Sequence, residues 1–374
     1  LTAPSPFSPV LPALQISWDA TSLRALMACP RRYEYSILRG FRTPFAGHDS
    51  PHLAFGHYFA SAVETFHKAR LAGKSKDEAQ LEAVAYVMKA TWDEATGTIW
   101  GGHYETQWHC LGTEPYKNAK GNKAKCPFSH KGKWFPEPAP TVCGECGSET
   151  EVVERWVPAD TYKDRFGLVR LVAWYCEEQA EEAGRGIQAY AFPDGRPAVE
   201  LPVRMPLPIK SETTGEQFIA CGYIDRISLY GLGELEEHFI TDNKTTSKGL
   251  GPAFFESYAV DIQFAYYDLL GSIGFPDLNI KGCIIEGAQV QASGAMFAWR
   301  PVYFKESSRE ELVHDLGYWL SQAEKFARDG YWPMNRASCF LCQYKSICAM
   351  PPESREMYLK ANWQVDKWNP LEER

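Results

Sequence analysis

The sequence contains no apolar run long enough to cross a bilayer as a helix, which excludes a helical membrane span. It contains no Gly-x4-Gly-Lys-Ser/Thr stretch, so no P-loop motor is encoded, and it shows no internal repeat. Positive charge is scarce: 39 Lys and Arg against 47 Asp and Glu leave a net charge of −8. That balance argues against a protein that coats nucleic acid over its whole surface, but not against a local basic groove beside a carboxylate site. The stretch from Leu1 to Ile16 is proline-rich and has no basic n-region. It reads as an optionally ordered arm rather than a signal peptide, and the expectation is a cytoplasmic protein with no membrane partner.

With 374 residues, 45% of them hydrophobic, the chain can bury a substantial core, as one large domain with insertions or as two. Cysteine is abundant, and position separates the eleven residues into groups. Cys29 stands alone near the start, and Cys339, Cys342 and Cys348 cluster near the end. Cys110, Cys126, Cys143 and Cys146 share one segment, while Cys176, Cys221 and Cys283 sit among apolar neighbours. Without an export signal, metal binding is favoured over disulfides for the grouped cysteines, and the three isolated ones read as core residues.

Hydrophobic periodicity predicts helices over Ser17–Ile37, Phe55–Leu71, Lys76–Glu94 and Lys163–Ala183. Between them, Trp100–Glu151 is rich in Gly, Pro, Lys and Cys and reads as an inserted loop-rich module. Strand patterns follow at Val199–Met205, Gln217–Leu229 and Glu236–Asp242, then a helix over Ala253–Leu270. Strands at Ile280–Glu286 and Ala295–Pro301 and a helix over Ser308–Ala327 complete an α/β arrangement with a small mixed sheet. The organisation expected is an N-terminal helical part (1–99), the insert (100–160), a core (161–335) and a C-terminal cysteine loop and tail (336–374).

Two strand ends carry the chemistry. Gly222-Tyr223-Ile224-Asp225-Arg226 and Phe239-Ile240-Thr241-Asp242-Asn243-Lys244-Thr245 each end an apolar β-run in an aspartate. Adjacent strands can bring both carboxylates to one sheet edge, a hard oxygen site suited to Mg²⁺ or Mn²⁺. Lys244, two residues beyond Asp242, points to the same side of an extended strand. Such a metal lowers the pKa of a bound water and neutralises charge that builds on a phosphate in flight.

These residues resemble the PD-(D/E)xK nuclease signature: Asp225, then Asp242-Asn243-Lys244. Gln263-Phe264-Ala265-Tyr266-Tyr267 further resembles the Q-x-x-x-Y element of the RecB/AddB-like branch, which includes CRISPR-adaptation nucleases. The resemblance covers most of the chain outside residues 100 to 160. It implies a restriction-endonuclease-like core in which Asp225 and Asp242 bind metal, the Asn243 carbonyl adds a ligand and Lys244 is catalytic. Gln263 and Tyr267, four apart on one helix face, would steady the site and the DNA strand. Gly56 and Glu64 match the first motif of that branch, with Ala60 where it carries His; His57 and His67 lie nearby at other helical phases. Glu64 is accordingly the third acidic ligand expected, ahead of Glu200 at a strand start.

Cys339-x2-Cys342-x5-Cys348 supplies three thiolates and Cys29, in Cys29-Pro30-Arg31-Arg32-Tyr33, a fourth from about 310 residues away. Four thiolates suit Zn²⁺ or an iron–sulfur cluster alike; the one-plus-three layout is similar to that of AddB-type nucleases, which implies [4Fe–4S]. In the insert, Cys110, Cys126 and the Cys143-Gly144-Glu145-Cys146 knuckle can form a Zn²⁺ site, with His109 or His130 as substitutes for one ligand. Lys117, Lys120, Lys123, Lys125, Lys131 and Lys133, followed by Trp134 and Phe135, form a patch suited to phosphates and bases, or a solvated loop. The function expected is a metal-dependent deoxyribonuclease acting on DNA ends or single strands in recombination, repair or phage DNA processing, alongside a helicase or recombination protein. A non-cleaving DNA-binding subunit and a site-specific restriction-like endonuclease are the alternatives.

Overall fold

The computed structural model describes residues 5–43, 51–94, 96–112, 116–117, 121–128, 135–136, 140–181, 187–231, 236–291 and 294–372. Its principal elements, in chain order, are β1 (Ser17–Trp18), α1 (Ala20–Ala28), α2 (Pro51–Leu71), α3 (Lys76–Ala90), β2 (Gly102–Cys110), β3 (Thr150–Pro158) and α4 (Arg165–Glu181). Then come β4 (Ile187–Ala189), β5 (Val199–Lys210), β6 (Gln217–Tyr230), β7 (Glu237–Thr246), α5 (Pro252–Ala259) and α6 (Ile262–Gly274). The series ends with β8 (Gly282–Val290), β9 (Ala295–Tyr303) and α7 (Glu306–Asp329). Among the described residues no helix is long and apolar enough to cross a membrane.

The fold is mixed α/β, a seven-stranded mixed sheet flanked by helices. β6 is its axis. On one edge β5 runs antiparallel to it, pairing Val199 with Arg226 and Lys210 with Gln217, and β4 continues that edge. On the other edge β1 pairs in parallel at Ile219 and Ala220, and β7 pairs antiparallel from Arg226 to Tyr230. Residues 221–225 therefore have no strand on that edge, and the sheet forks there. β8 then pairs in parallel with β7, and β9 antiparallel with β8. β5 tolerates Pro202, Pro206 and Pro208 because it is an edge strand: Val203, Met205 and Leu207 point inward and the prolines outward.

Helices cover both faces. α1, α6 and α7 contribute Leu23, Leu26, Phe264, Leu270, Leu316 and Leu320 to one apolar cluster with Ile224, Ile240 and Ile285. α2, α3 and α4 form the other, in which Phe59, Phe66, Ala83, Leu171 and Tyr175 pack with Ala288 and Val290. Each fully buried Leu or Phe is worth roughly 1.5–3 kcal/mol relative to exposure. Cys176, Cys221 and Cys283 are buried, as core residues should be. Beneath α2 and α4 lies a polar network: Arg226 Nη2 donates to Glu286 Oε2 at 2.7 Å, and the Tyr175 hydroxyl bridges Glu286 (3.2 Å) and His67 (2.9 Å). Burial and the nearby Arg226 and Arg70 hold His67 well below the usual imidazole value, so it stays neutral.

Several elements depart from the pattern read from sequence. The expected Ser17–Ile37 helix begins as a strand and breaks at Cys29, which is extended at φ −168°. Pro30 explains the break: a residue before proline is pushed out of the helical region. The chain resumes as the short helix Pro30–Tyr33 and a π-turn at Glu34–Leu38. The Ala253–Leu270 helix is two, because Asp261 turns extended and caps α6, accepting from Gln263 N at 2.8 Å. β7 runs on to Thr246, so Asp242 and Lys244 lie within it rather than at its end. The insert is not loop throughout: β2 and β3 pair over nine residues each, with Phe135–Pro136 added alongside β2. The N-terminal arm packs on the core, with Leu14 and Gln15 buried and the Gln15 amide held by Tyr33 and Ser22.

Removing Glu286 should leave the Arg226 guanidinium buried without a counter-charge. Glu286→Ala is expected to lose about 3–5 kcal/mol of stability in urea unfolding, most of it regained in the Arg226→Met/Glu286→Leu double variant.

Candidate functional site

A cleft of about 780 Å³ opens where the sheet forks. Its walls are the Gly56–Ala60–Glu64 face of α2, Glu200 of β5, Gly222 and Asp225 of β6, Asp242 and Lys244 of β7, and Gln263 and Tyr267 of α6. The antiparallel pairing of β6 with β7 ends at Arg226–Thr241, so Asp225 and Asp242 are the first residues beyond it on their two strands. α6 fills the fork. The Tyr266 hydroxyl donates to Trp18 O of β1 at 2.6 Å and accepts from Cys221 N of β6 at 3.3 Å, supplying polar partners where no strand does.

The same helix supports the acidic centre. Gln263 Nε2 donates to Asp242 Oδ1 at 3.0 Å. Lys244 Nζ stands 2.5 Å from Asp242 Oδ2, and the ring faces of Phe264 and Tyr258 lie 5.5 and 6.0 Å from it. Burial disfavours the ammonium, but Asp242 and Asp225 outweigh it and hold Lys244 above the ordinary lysine value. The lysine is thus a fixed positive charge at neutral pH. Glu64 lines the cleft but is ion-paired with Lys68 one helical turn on.

The donors fit a hard cation in kind. Asn243 Oδ1 is buried with no hydrogen-bond partner, and Asp242 Oδ2 is engaged by the Lys244 ammonium. An acceptor left in this way beside carboxylates suits Mg²⁺ or Mn²⁺. The carboxylates share the cleft without closing into a cage. Among the described residues, the four insert cysteines are the one group of His, Cys, Asp and Glu whose ligand atoms lie within 4.8 Å of one another.

Those four cysteines can hold a metal ion. Cys110 ends β2; Cys126 and the 143–146 knuckle fold over it, with Sγ separations of 3.3 Å (Cys110–Cys146) and 3.6 Å (Cys126–Cys143). These are too long for disulfides and match the edges of a tetrahedron of thiolates around one ion. Gly147, at φ +73°, makes the knuckle turn while its N–H reaches Cys143 O at 2.8 Å. Cys146 is the thiol poised to ionise: burial opposes it, but the Ser148 hydroxyl and amide and the neighbouring thiols bring it to about 6. Burial pushes Cys126 up to about 12. His109 is not needed as a substitute ligand and lies 3.3 Å from Glu151; His130 lies outside the described residues. Of the basic patch, Lys117, Lys123 and Lys125 are exposed, whereas Lys120, Lys131, Lys133 and Trp134 lie outside the described residues.

Cys29 is brought to the C-terminal cysteines, though less tightly. Asn335 N donates to Cys29 Sγ at 3.2 Å, and Cys339 Sγ reaches Asn335 O at 3.6 Å. Burial raises the Cys348 thiol, as do its neighbours Cys342 and Cys29, against Arg31 and Arg355. The four thiols share this neighbourhood without the closure that a single tetrahedral ion requires. The chain ends meet here too: Phe41–Arg42 pairs with Gln364–Val365, and a Cβ at Gly40 would fall 2.5 Å from Asp366 O.

Two residues of the cleft, Arg24 and Tyr86, escaped the sequence. Arg24 of α1 reaches it through an ion pair with Asp261, a contact across more than 230 residues that no local pattern reveals. Tyr86 is an aromatic cleft residue with no motif to mark it, and Tyr223 joins it from the Gly222–Arg226 stretch. His57 lines the cleft despite its helical phase, whereas His67 turns away to Tyr175. Replacing one knuckle thiol tests the insert: Cys143→Ser is expected to lose about one metal ion per chain by elemental analysis, with unchanged metal content counting against the site.

No family model matches the chain, and no curated protein matches it. Among solved structures, the crystal structure of SSO0001 aligns at 12% identity and a TM-score of 0.26, over 49% of this chain and 70% of that one. A likeness at that level carries no argument.

Proposed function

We propose that the chain is a Mg²⁺- or Mn²⁺-dependent deoxyribonuclease with a restriction-endonuclease-like core, acting on DNA ends or single strands in recombination, repair or phage DNA processing. The observation that carries this reading is the Gln263–Asp242–Lys244 contact at the fork, with Asp225 beside it. Asp225, Asp242 and the oxygens of Asn243 would hold the cation, which when bound supplies charge neutralisation and an acidified water for phosphodiester hydrolysis. Lys244 places a permanent positive charge where the scissile phosphate develops negative charge. Gln263 and Lys244 hold the two oxygens of the Asp242 carboxylate in one orientation. Arg24, Lys68 and the tyrosines of the cleft wall suit a phosphate backbone and unstacked bases, which favours a single strand as the occupant. A helicase or recombination protein is the expected partner supplying it.

On this reading the insert cysteines hold Zn²⁺, and Cys29, Cys339, Cys342 and Cys348 hold a [4Fe–4S] cluster that joins the first helix to the C-terminal loop. Labelled single-stranded DNA should be cleaved with Mg²⁺ or Mn²⁺, and Asp242→Ala and Lys244→Ala should each lose at least about 10²-fold in rate while folded. Full activity in either variant would overturn the assignment; DNA binding without cleavage by the wild type would point to a non-cleaving subunit. Anaerobically purified protein is expected to be brown, and Cys29→Ala to lose iron together with stability. Undiminished iron in that variant would place the fourth ligand elsewhere.

A further inference from the structure

The insert carries a charge pattern for which the cleft has no use. Between residues 115 and 136 it holds six lysines and no aspartate or glutamate, in a chain whose net charge is −8. Of these, Lys117, Lys123 and Lys125 lie among the described residues and are exposed. Lys117 stands opposite Lys123 in a small antiparallel hairpin, Tyr116–Lys117 against Lys123–Ala124. Directly opposed residues of such a pair share a face, with Cβ atoms about 5 Å apart, and like charges placed there repel. Among the described residues no carboxylate pairs with any of the three lysines.

A hairpin this short is marginal by itself, but its base is held. Cys110 N donates to Phe128 O at 2.8 Å, so the chain that leaves β2 returns beside it after the hairpin. The Trp108 and Phe128 rings stack there, 5.7 Å between centroids. Cys110 and Cys126, which flank the hairpin in sequence, belong to one cluster of thiols. Opposed cations on a braced projection gain from a polyanion the counter-charge that the fold withholds. Single-stranded nucleic acid carries a phosphate at every nucleotide, so neighbouring ammonium groups can each meet one, and the counterions they release favour the contact.

We infer that the hairpin bearing Lys117, Lys123 and Lys125 is a second nucleic-acid contact, gripping the phosphate backbone of single-stranded DNA outside the cleft. The choice of DNA rests on the nuclease reading. The grip itself uses neither Asp225, Asp242 nor Lys244, so binding through it is separable from cleavage.

Fluorescence anisotropy of labelled single-stranded DNA tests this in the whole chain, at several salt concentrations and without added divalent cation, so that no strand is cut. Replacing all three lysines by glutamine is expected to weaken binding at least about ten-fold at moderate salt. The slope of log affinity against log salt should become shallower by about 2, since each lost phosphate contact to a single strand removes roughly 0.7. The matching Lys→Arg triple variant should keep both affinity and slope. Unchanged affinity and slope in the glutamine variant overturn the inference and leave the nuclease reading standing. A glutamine variant with lowered metal content also overturns it, by making the lysines counter-charges of the thiolates. Binding to phosphatidylserine vesicles that depends equally on the three lysines overturns DNA as the occupant. Lysine-dependent DNA binding by a chain that cleaves nothing with Mg²⁺ or Mn²⁺ supports the inference and removes the nuclease reading.

Discussion

The site depends on an incomplete edge in the sheet. β6 takes β1 and β7 on the same edge, and the five residues between those pairings have no strand there. Unpaired backbone inside a protein is costly unless something else bonds it. α6 meets that need through the Tyr266 hydroxyl, which links Trp18 O to Cys221 N. Because the helix must enter the fork to do so, its first turn carries Gln263 to Asp242 and its next turn places Tyr267 beside the cleft. A single structural requirement thus fixes both the wedge and the residues of the candidate centre.

Charge is distributed asymmetrically about that fork. On the cleft side, carboxylates exceed the cations that neutralise them, and Lys244 is held positive by Asp242 and Asp225 against its burial. On the side toward α4, Arg226 and Glu286 balance, with Tyr175 and neutral His67 satisfying the remaining hydrogen bonds. Asp225 and Arg226 are adjacent, so one stretch of β6 divides an open acidic site from a closed neutral network. The closed network holds β6 to β8 beneath the cleft.

The two groups of cysteines differ in what brings their thiols together. In the insert, the β2–β3 pairing places Cys110 near the knuckle, and all four thiols converge within a segment of fewer than forty residues. At the chain ends, Pro30 breaks the first helix and leaves Cys29 extended, facing Asn335. There the convergence comes from the core, since α1 and α7 pack in the same apolar cluster. Loop-closure entropy grows only logarithmically with length, so the longer closure is not much more costly than the shorter one.

The sequence by itself determined the chemistry on offer and its local geometry. An Asp-x-Lys in extended chain puts both side chains on one side, Gln263 and Tyr267 four apart share a helix face, and two cysteines in a Cys-x2-Cys knuckle can grip one ion. Those relations follow from the periods of strand and helix, which hold wherever the element sits. Tertiary structure alone decided what faces what. The fork in β6, the insertion of α6, the left-handed backbone at Glu200, the Arg24–Asp261 pair and the burial of Arg226 against Glu286 all arise from contacts between residues far apart in the chain. No local periodicity encodes these contacts, because they depend on how the whole set of apolar faces is buried at once.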